Sequence, residues 1–567
     1  MQTVGGAAGV EQAVARLGGR IDRALPIING YAVTIPADRL AELSATTGVT
    51  SVTPDSSMTP MSTTTTTTTV DTGSLSSISQ IVGVQDMWNA GYAGQGIDIA
   101  VIDTGIARVP GLDGAGKVVD GPDLSLDPHD AATGGVDAFG HGTHMAGIIA
   151  GSDVAATTST AGCSTCLGTS PYTDTTKFEG IAPAARLVNV KVGAYDGAAD
   201  VSQVIAAIDW VVQHHADKGF NIRVINLSFG TDSAQSASVD PLAQAAEVAW
   251  RNGIVVVAAA GNEGRSTRTL ADPAYNRAIL AVGASDPKGT IATGDDSIPS
   301  FAQHGNARRG VDVVAPGVSV TSLRVPGSFV DQNTTTGRVG TRFQQGSGTS
   351  QATAVVSGLA AVFLSKYPSA TPDTVKSYLK AWANPVTLLD PTDSRLGELA
   401  PKLVVAINNW YSGSGSASLA QGPSNLLLVP ALPGLAVSDG SGTLEASRGT
   451  FHVVSNGETL QGESDIMGKP WSAPTMAAST AQGTTWSGGT WNGASWSGAS
   501  WSGASWSSAA WTGNDWSGAR WSGASWSASA WDGARWSGAR WSGASWSSGT
   551  WDGARWSGAR WSDAGWQ

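Results

Sequence analysis

Between residues 84 and 410 short, unbroken apolar runs alternate with stretches of helical periodicity, and this alternation limits the fold more than any other feature of the chain. The runs are IDIAVID (97 to 103), ARLVNVKV (185 to 192), NIRVINLSF (221 to 229), GIVVVAAA (253 to 260) and AILAVGA (278 to 284). Helical spacing falls at about 141–151, 201–216, 239–252, 349–366 and 371–382. A strand that is apolar on both faces must be covered on both, and helices between successive strands supply the cover. The pattern therefore predicts an α/β domain, a doubly wound parallel sheet flanked by helices.

The full 567 residues exceed what one core organises, and 14% charged residues with 72 Gly mark segments outside ordinary globular composition. Residues 1–60 read as a small α+β unit, with a helix at 9–18, strands near 20–25 and 30–35, a helix at 37–45 and a strand at 49–52. That order is a split β-α-β-β-α-β unit lacking its first strand. No charged and apolar leader is visible either, so the true start is expected upstream of Met1, with a signal peptide. Residues 61–83 read as a linker because threonines 63–69 have no apolar partners to pack on, and 411–430 read as a second, rich in Ser, Gly and Pro. A small segment at 431–480 has no assignment.

From Trp486 to Trp566 a Trp falls at every fifth position, seventeen in all, and Val, Ile, Leu, Phe and Pro are absent. A period of five fits neither a strand nor a helix. Two readings of the tail, 481–567, stand: a five-residue-repeat β-solenoid of about 20 residues per coil, or a disordered strand of exposed indoles.

A net charge of −12 argues against a nucleic-acid partner, and no run of about 18 apolar residues exists to span a membrane. Two Cys, 163 and 166, exclude a disulfide scaffold. One C-x-x-C without further ligands is poor evidence for zinc; in an exported chain it reads as a surface-loop disulfide, otherwise as idle thiols.

Four residue types, Asp, His, Ser and Asn, stand where parallel sheets bind ligands, at strand carboxyl ends and helix starts. Asp103 ends IDIAVID; taken alone, Asp-Thr-Gly is a turn. His141 and His144 open GHGTHMAGIIAG as general-base candidates or as core histidines, and their i, i+3 spacing lacks the Glu of H-E-x-x-H, so no metal is assigned. Ser350, in GSGTSQATAVVSG, is either a helix cap or a nucleophile at a helix N-terminus, where negative charge is stabilised. Asn262, in AAAGNEG, can donate to an oxyanion. Together they supply what acyl transfer needs. A second Asp-Thr-Gly at Asp71 lies too close to Asp103 to head a lobe of an aspartic protease.

The domain resembles the subtilisin-like serine proteases. The resemblance rests on AVIDTGI, DAFGHGTHMAG, GIAPAARLVNVKV, VINLSFG, AAAGNEG, DVVAPGVSV and GTSQATAVVSG, with Gln351-Ala352-Thr353-Ala354 replacing the usual Met-Ala-Ser-Pro. It implies a serine endopeptidase with His141 as base, Asp103 orienting it, Ser350 as nucleophile and Asn262 in the oxyanion hole. Ser228, Phe229 and Gly230 on one side and Tyr195 and Gly197 on the other would receive an extended polypeptide substrate. Ala260 and Gly261 would leave room for an apolar P1 residue, with Glu263 and Asp272 near enough to take a basic one. Residues 1–60 resemble the family's propeptide, implying a zymogen cut by itself between about 55 and 83. No cofactor is required; structural calcium is a family property, but Asp113, Asp120, Asp123, Asp127 and Asp130 read as a solvated acidic loop. The expected setting is secreted or at the cell surface, with the tail attaching to cell wall, polysaccharide or insoluble substrate. The alternative is a catalytically silent surface protein that binds through its Trp repeats.

Overall fold

A computed structural model describes residues 2–3, 7–25, 30–36, 39–47, 49–51, 73–125, 136–154, 170–217, 219–264, 267, 269–306, 309–381, 383–386, 403–405, 437–455, 458–487, 490–495 and the strands within 500–566. The threonine run, Asp127, Asp130, Cys163, Cys166 and the linker at 411–430 lie outside the described residues.

Each apolar run forms a strand buried on both faces. The seven parallel strands of the central sheet are β1 (Asp98–Asp103), β2 (Val118–Asp123), β3 (Arg186–Lys191), β4 (Ile222–Leu227), β5 (Val255–Ala259), β6 (Leu280–Ser285) and β7 (Val313–Pro316). Their order is β2-β3-β1-β4-β5-β6-β7. Leu403–Val405 continues the sheet in parallel beyond β7, and Asn384–Val386 closes it antiparallel.

The principal helices are α1 (His141–Ala150), α2 (Val201–His214), α3 (Pro241–Arg251) and α4 (Thr349–Lys366). Their starts are written in the sequence. Asp200 and Gln203 form a capping box at α2, and Asp240 caps α3 ahead of Pro241. Because the chain leaves β1 towards β2 but leaves β4 towards β5, the connections diverge between the neighbours β1 and β4. That divergence opens a crevice at their carboxyl ends.

Two expectations are corrected. The N-terminal unit does not lack its first strand: Gln2–Thr3 pairs antiparallel with Gly30 and with Val49–Ser51, giving a four-stranded sheet with helices Ala7–Arg16 and Leu40–Ser44. The boundary expected at 481 falls inside a helix, Ala473–Gln482. The described residues of 437–495 form a strap on the outside of α2 and α3. In this strap Trp486 donates its indole N–H to Ala206 O at 2.8 Å, and Trp491, fully buried, donates to Asp209 Oδ2 at 2.9 Å.

Beyond the strap, strands pair in parallel at a constant offset of 20 residues, aligning Trp506, Trp526, Trp546 and Trp566 in one column and Trp501, Trp521, Trp541 and Trp561 in another. An offset of four five-residue units is the geometry of stacked coils. The first of these strands, Ser500–Ser502, lies beside the outer strand β2.

Candidate active site

Asp103 ends β1 fully buried, and its Oδ1 accepts the Nδ1–H of His141 at 2.7 Å and the Thr104 amide at 2.8 Å. This contact fixes the tautomer: with Nδ1 donating, Nε2 is the basic nitrogen. Burial works against the imidazolium, but the charge and hydrogen bond of Asp103, joined by the charge of Asp137, outweigh it and hold His141 above the ordinary histidine value. His144, three residues on, is buried without a compensating carboxylate and is pushed down to about 3, first by burial and then by His141, so it stays neutral.

Asp137 went unnoticed in the sequence. It is fully buried and accepts the Thr104 hydroxyl at 2.7 Å, the Gly140 amide at 2.6 Å and the Thr143 amide at 2.7 Å, while Thr104 Oγ1 also accepts the Gly142 amide at 2.9 Å. It thereby ties the end of β1 to the start of α1, the two elements that carry Asp103 and His141. Burial raises its pKa, against the pull of these donors.

Ser350 is the second residue of α4, so it is not the helix cap that one reading of the sequence allowed. That position is Gly348, which offers no side chain to the free amides. The helix N-terminus is thus open to an anionic group. The Ser350 hydroxyl makes a long contact of 3.4 Å to Ser228 O, just past β4. Asn262 follows β5 and turns Oδ1 to the Thr349 amide at 2.9 Å and the Thr349 hydroxyl at 3.1 Å. Because Oδ1 is occupied in this way, Nδ2 is the donor left for a ligand.

The residues expected to receive substrate flank this group. Gly261 has φ 110°, a backbone conformation that favours glycine, and a Cβ there would stand 1.8 Å from Gln303 Oε1 and force that amide to move. Gly197, at φ 84°, faces the ring of Phe139, which a Cβ would approach to 2.9 Å. Phe139 in turn stacks on Phe329 at 5.6 Å, an aromatic pair two residues ahead of the histidine that the sequence did not disclose. Tyr195 is 60% exposed, Ala260 is buried, and Gly230 packs against Ala271 and the Asp272 carbonyl. Ser228 and Phe229 are half-buried along the same edge.

Asp272 does not face the cleft as a free acceptor. It is 1% exposed, accepts the Ser447 hydroxyl at 3.3 Å and is pushed far up by burial and by Asp240. Glu263 remains exposed, with its pKa raised by burial and by the charge of Asp232.

Of the acidic loop, Asp113 accepts the Gly111 amide, Asp120 pairs with Arg108 at 2.8 Å and Asp123 accepts the Ser125 hydroxyl, while Asp127 and Asp130 lie outside the described residues.

A family model described as "Subtilase family" matches residues 94–403. Serine protease AprX of Bacillus subtilis (strain 168) is 36% identical over 293 residues, which are 51% of this chain and 61% of that protein. Subtilisin DY of Bacillus licheniformis is 33% identical over 298 residues, 52% of this chain and 85% of that protein. Subtilisin Savinase of Lederbergia lenta is 33% identical over 305 residues, 54% and 88% of the two chains.

Proposed function

The chain belongs to the subtilase family, and on that premise we propose that it is a serine endopeptidase working through Asp103, His141 and Ser350. The observation that carries the reading is the 2.7 Å bond from His141 to Asp103, made at the same sheet edge as Ser350 and the open start of α4. In the proposed reaction His141 Nε2 takes the Ser350 proton as Oγ bonds to the peptide carbonyl carbon. The oxyanion so formed is held by Asn262 Nδ2 and the amides at the start of α4. The imidazolium then returns the proton to the departing amine, leaving an acyl-serine that water opens by the reverse sequence. Asp103 orients the ring and stabilises the imidazolium. The Ser350–His141 hydrogen bond belongs to the substrate-bound state, in keeping with the looseness of such contacts in empty sites.

An extended polypeptide is the proposed substrate, seated as an added strand between Ser228–Gly230 and Tyr195–Gly197. An apolar P1 residue suits the Ala260–Gly261 wall, since Asp272 is withdrawn. Treatment with a fluorophosphonate tests the reading: Ser350 should be labelled, casein cleaved at pH 8, and both lost in Ser350→Ala. A purified chain that neither labels nor cleaves would favour a silent binding protein.

Three finer readings go with this one. Residues 1–60 act as a propeptide removed by self-cleavage between about 55 and 83, so pure Ser350→Ala protein should stay uncut there. The protein is exported, which fractionation of the producing cells would test; no described helix is long and apolar enough to cross a membrane. The tail attaches the enzyme to cell wall, polysaccharide or insoluble substrate.

A further inference from the structure

The strap, residues 437–495, reaches the catalytic domain at the two places where the walls of the cleft leave the sheet. On the Tyr195–Gly197 side, Arg448 is completely buried. It sends Nε to Asp200 Oδ1 at 2.7 Å and its remaining nitrogens to Gly462 O at 2.7 Å and Ser464 O at 2.5 Å. Asp200 lies three residues beyond Gly197 and caps α2. On the Ser228–Gly230 side, Thr231 donates its hydroxyl to Ser447 O at 2.6 Å. The next residue, Asp232, accepts the Thr450 amide and hydroxyl, both at 2.6 Å. The Ser447 hydroxyl bridges Asp240 at 3.0 Å and Asp272 at 3.3 Å, and the Asp272 carbonyl accepts the Thr231 amide. A single turn, Ser447–Thr450, thus holds both walls. It is pressed against one of them: Gly449 has φ 61°, and a Cβ there would come within 2.9 Å of the Asp232 carbonyl carbon.

These contacts matter because of what the walls are proposed to do. A peptide inserted between two strands must lie about 4.8 Å from each, so the walls need a fixed separation and register. Both are loop segments just past strand ends, which by themselves are the part of a fold most free to move. A buried guanidinium forked onto a buried carboxylate and two carbonyls is among the most directional anchors available to a chain.

We propose that the strap is a working part of the substrate cleft and that Arg448 and Thr450 are positioning residues, one for each wall. This rests on the reading of those walls as the peptide-binding edges.

The test uses the full chain with Arg448→Lys, which keeps the charge and loses the fork, and Thr450→Val, which loses the hydroxyl contact to Asp232. For a peptide amide extending four residues before the scissile bond, KM should rise by roughly ten-fold, below the ~10²-fold that small misplacements can cost. The kcat, and the rate at which a small fluorophosphonate labels Ser350, should stay within about two-fold, since these report on the triad and oxyanion hole. Wild-type KM in both variants, or losses of kcat and labelling as large as the change in KM that follow a lowered melting temperature, would overturn the proposal. Should Arg448→Lys not fold, Thr450→Val decides alone, its contact being at the surface. A wild-type chain that does not label overturns the hydrolase reading and this one together; a wild type that labels, with unchanged KM in the variants, overturns this one alone.

Discussion

At the scale of single residues, the site is organised around two buried carboxylates serving one histidine. Asp103 touches His141 directly; Asp137 reaches it through Thr104 and the first amides of α1. Since the charge of Asp137 is one of the influences holding His141 up, Asp137→Asn should move the acid limb of kcat/KM to lower pH. In the wild type that limb lies above the ordinary histidine value, and activity falls as pH drops through it, because protonated His141 cannot act as base. A pH profile of the two proteins checks both statements, and an unshifted limb would leave Asp137 a purely structural role. Asn262→Ala should lower kcat by about 10² to 10³ with little change in KM, the magnitude found for the corresponding amide of subtilisin, a relative, and carried over on that ground. As candidates, Asp103, His141, Asn262 and Ser350 were legible in the sequence because each stands at a strand end or helix start within its own motif. Asp137 was not, because a lone Asp in a loop looks like any turn residue until its three donors are brought round it.

At the scale of elements, legibility followed burial. Strands covered on both faces carry continuous apolar runs, and β1, β3, β4, β5 and β6 correspond to the runs seen in the sequence. β2, VVDGPD, shows no such run because Gly and Pro break this outer strand, and β7, VVAP, is buried but too short to stand out as one. The strap was missed for a different reason: Trp486 and Trp491 keep the tail's five-residue spacing, yet they pack into the catalytic body. Trp491 is anchored by Asp209 on α2, whose carboxyl accepts Trp491 Nε1 and the Thr480 hydroxyl and which burial pushes up to about 7, against the pull of these donors. A carboxyl raised in this way keeps its proton in the folded chain while the unfolded chain has already released it. Its contribution to stability therefore falls as pH rises from about 4 to about 7. Asp209→Asn retains an acceptor for Trp491 and abolishes the titration. The variant should gain on the wild type across that interval, by roughly 2 to 4 kcal/mol at pH 8. Melting curves of both proteins at pH 4, 6 and 8 measure the difference directly, and other titrating groups cancel in the comparison. A difference that does not change with pH would mean that Asp209 titrates in the fold as it does in the unfolded chain.

At the scale of the whole molecule, the question is where the α/β body ends and the repeat tail begins. The strap is bound to the catalytic body through buried indoles and a buried ion pair, whereas the coils after residue 495 repeat at 20-residue intervals and pair with one another. Their strand Ser500–Ser502 lies beside β2, yet β2 is suited to life as an open edge: it carries Gly121, Pro122 and the Asp120–Arg108 pair, features that blunt an edge against further pairing. Removing the coils should therefore cost the catalytic body little. A chain ending at Ser495 is expected to melt with the full-length protein and to turn over a soluble peptide at the same rate, while losing retention on a cell-wall fraction. A chain ending at Thr480 also loses Trp486 and Trp491, whose removal from buried sites costs about 3 to 5 kcal/mol each, and it should melt well below both. Turnover and melting of the three lengths, measured side by side, place the boundary. If the Ser495 form is inactive, the coils belong to the folding unit; if it is active and still held by the cell-wall fraction, attachment resides in the body and not in the Trp repeats.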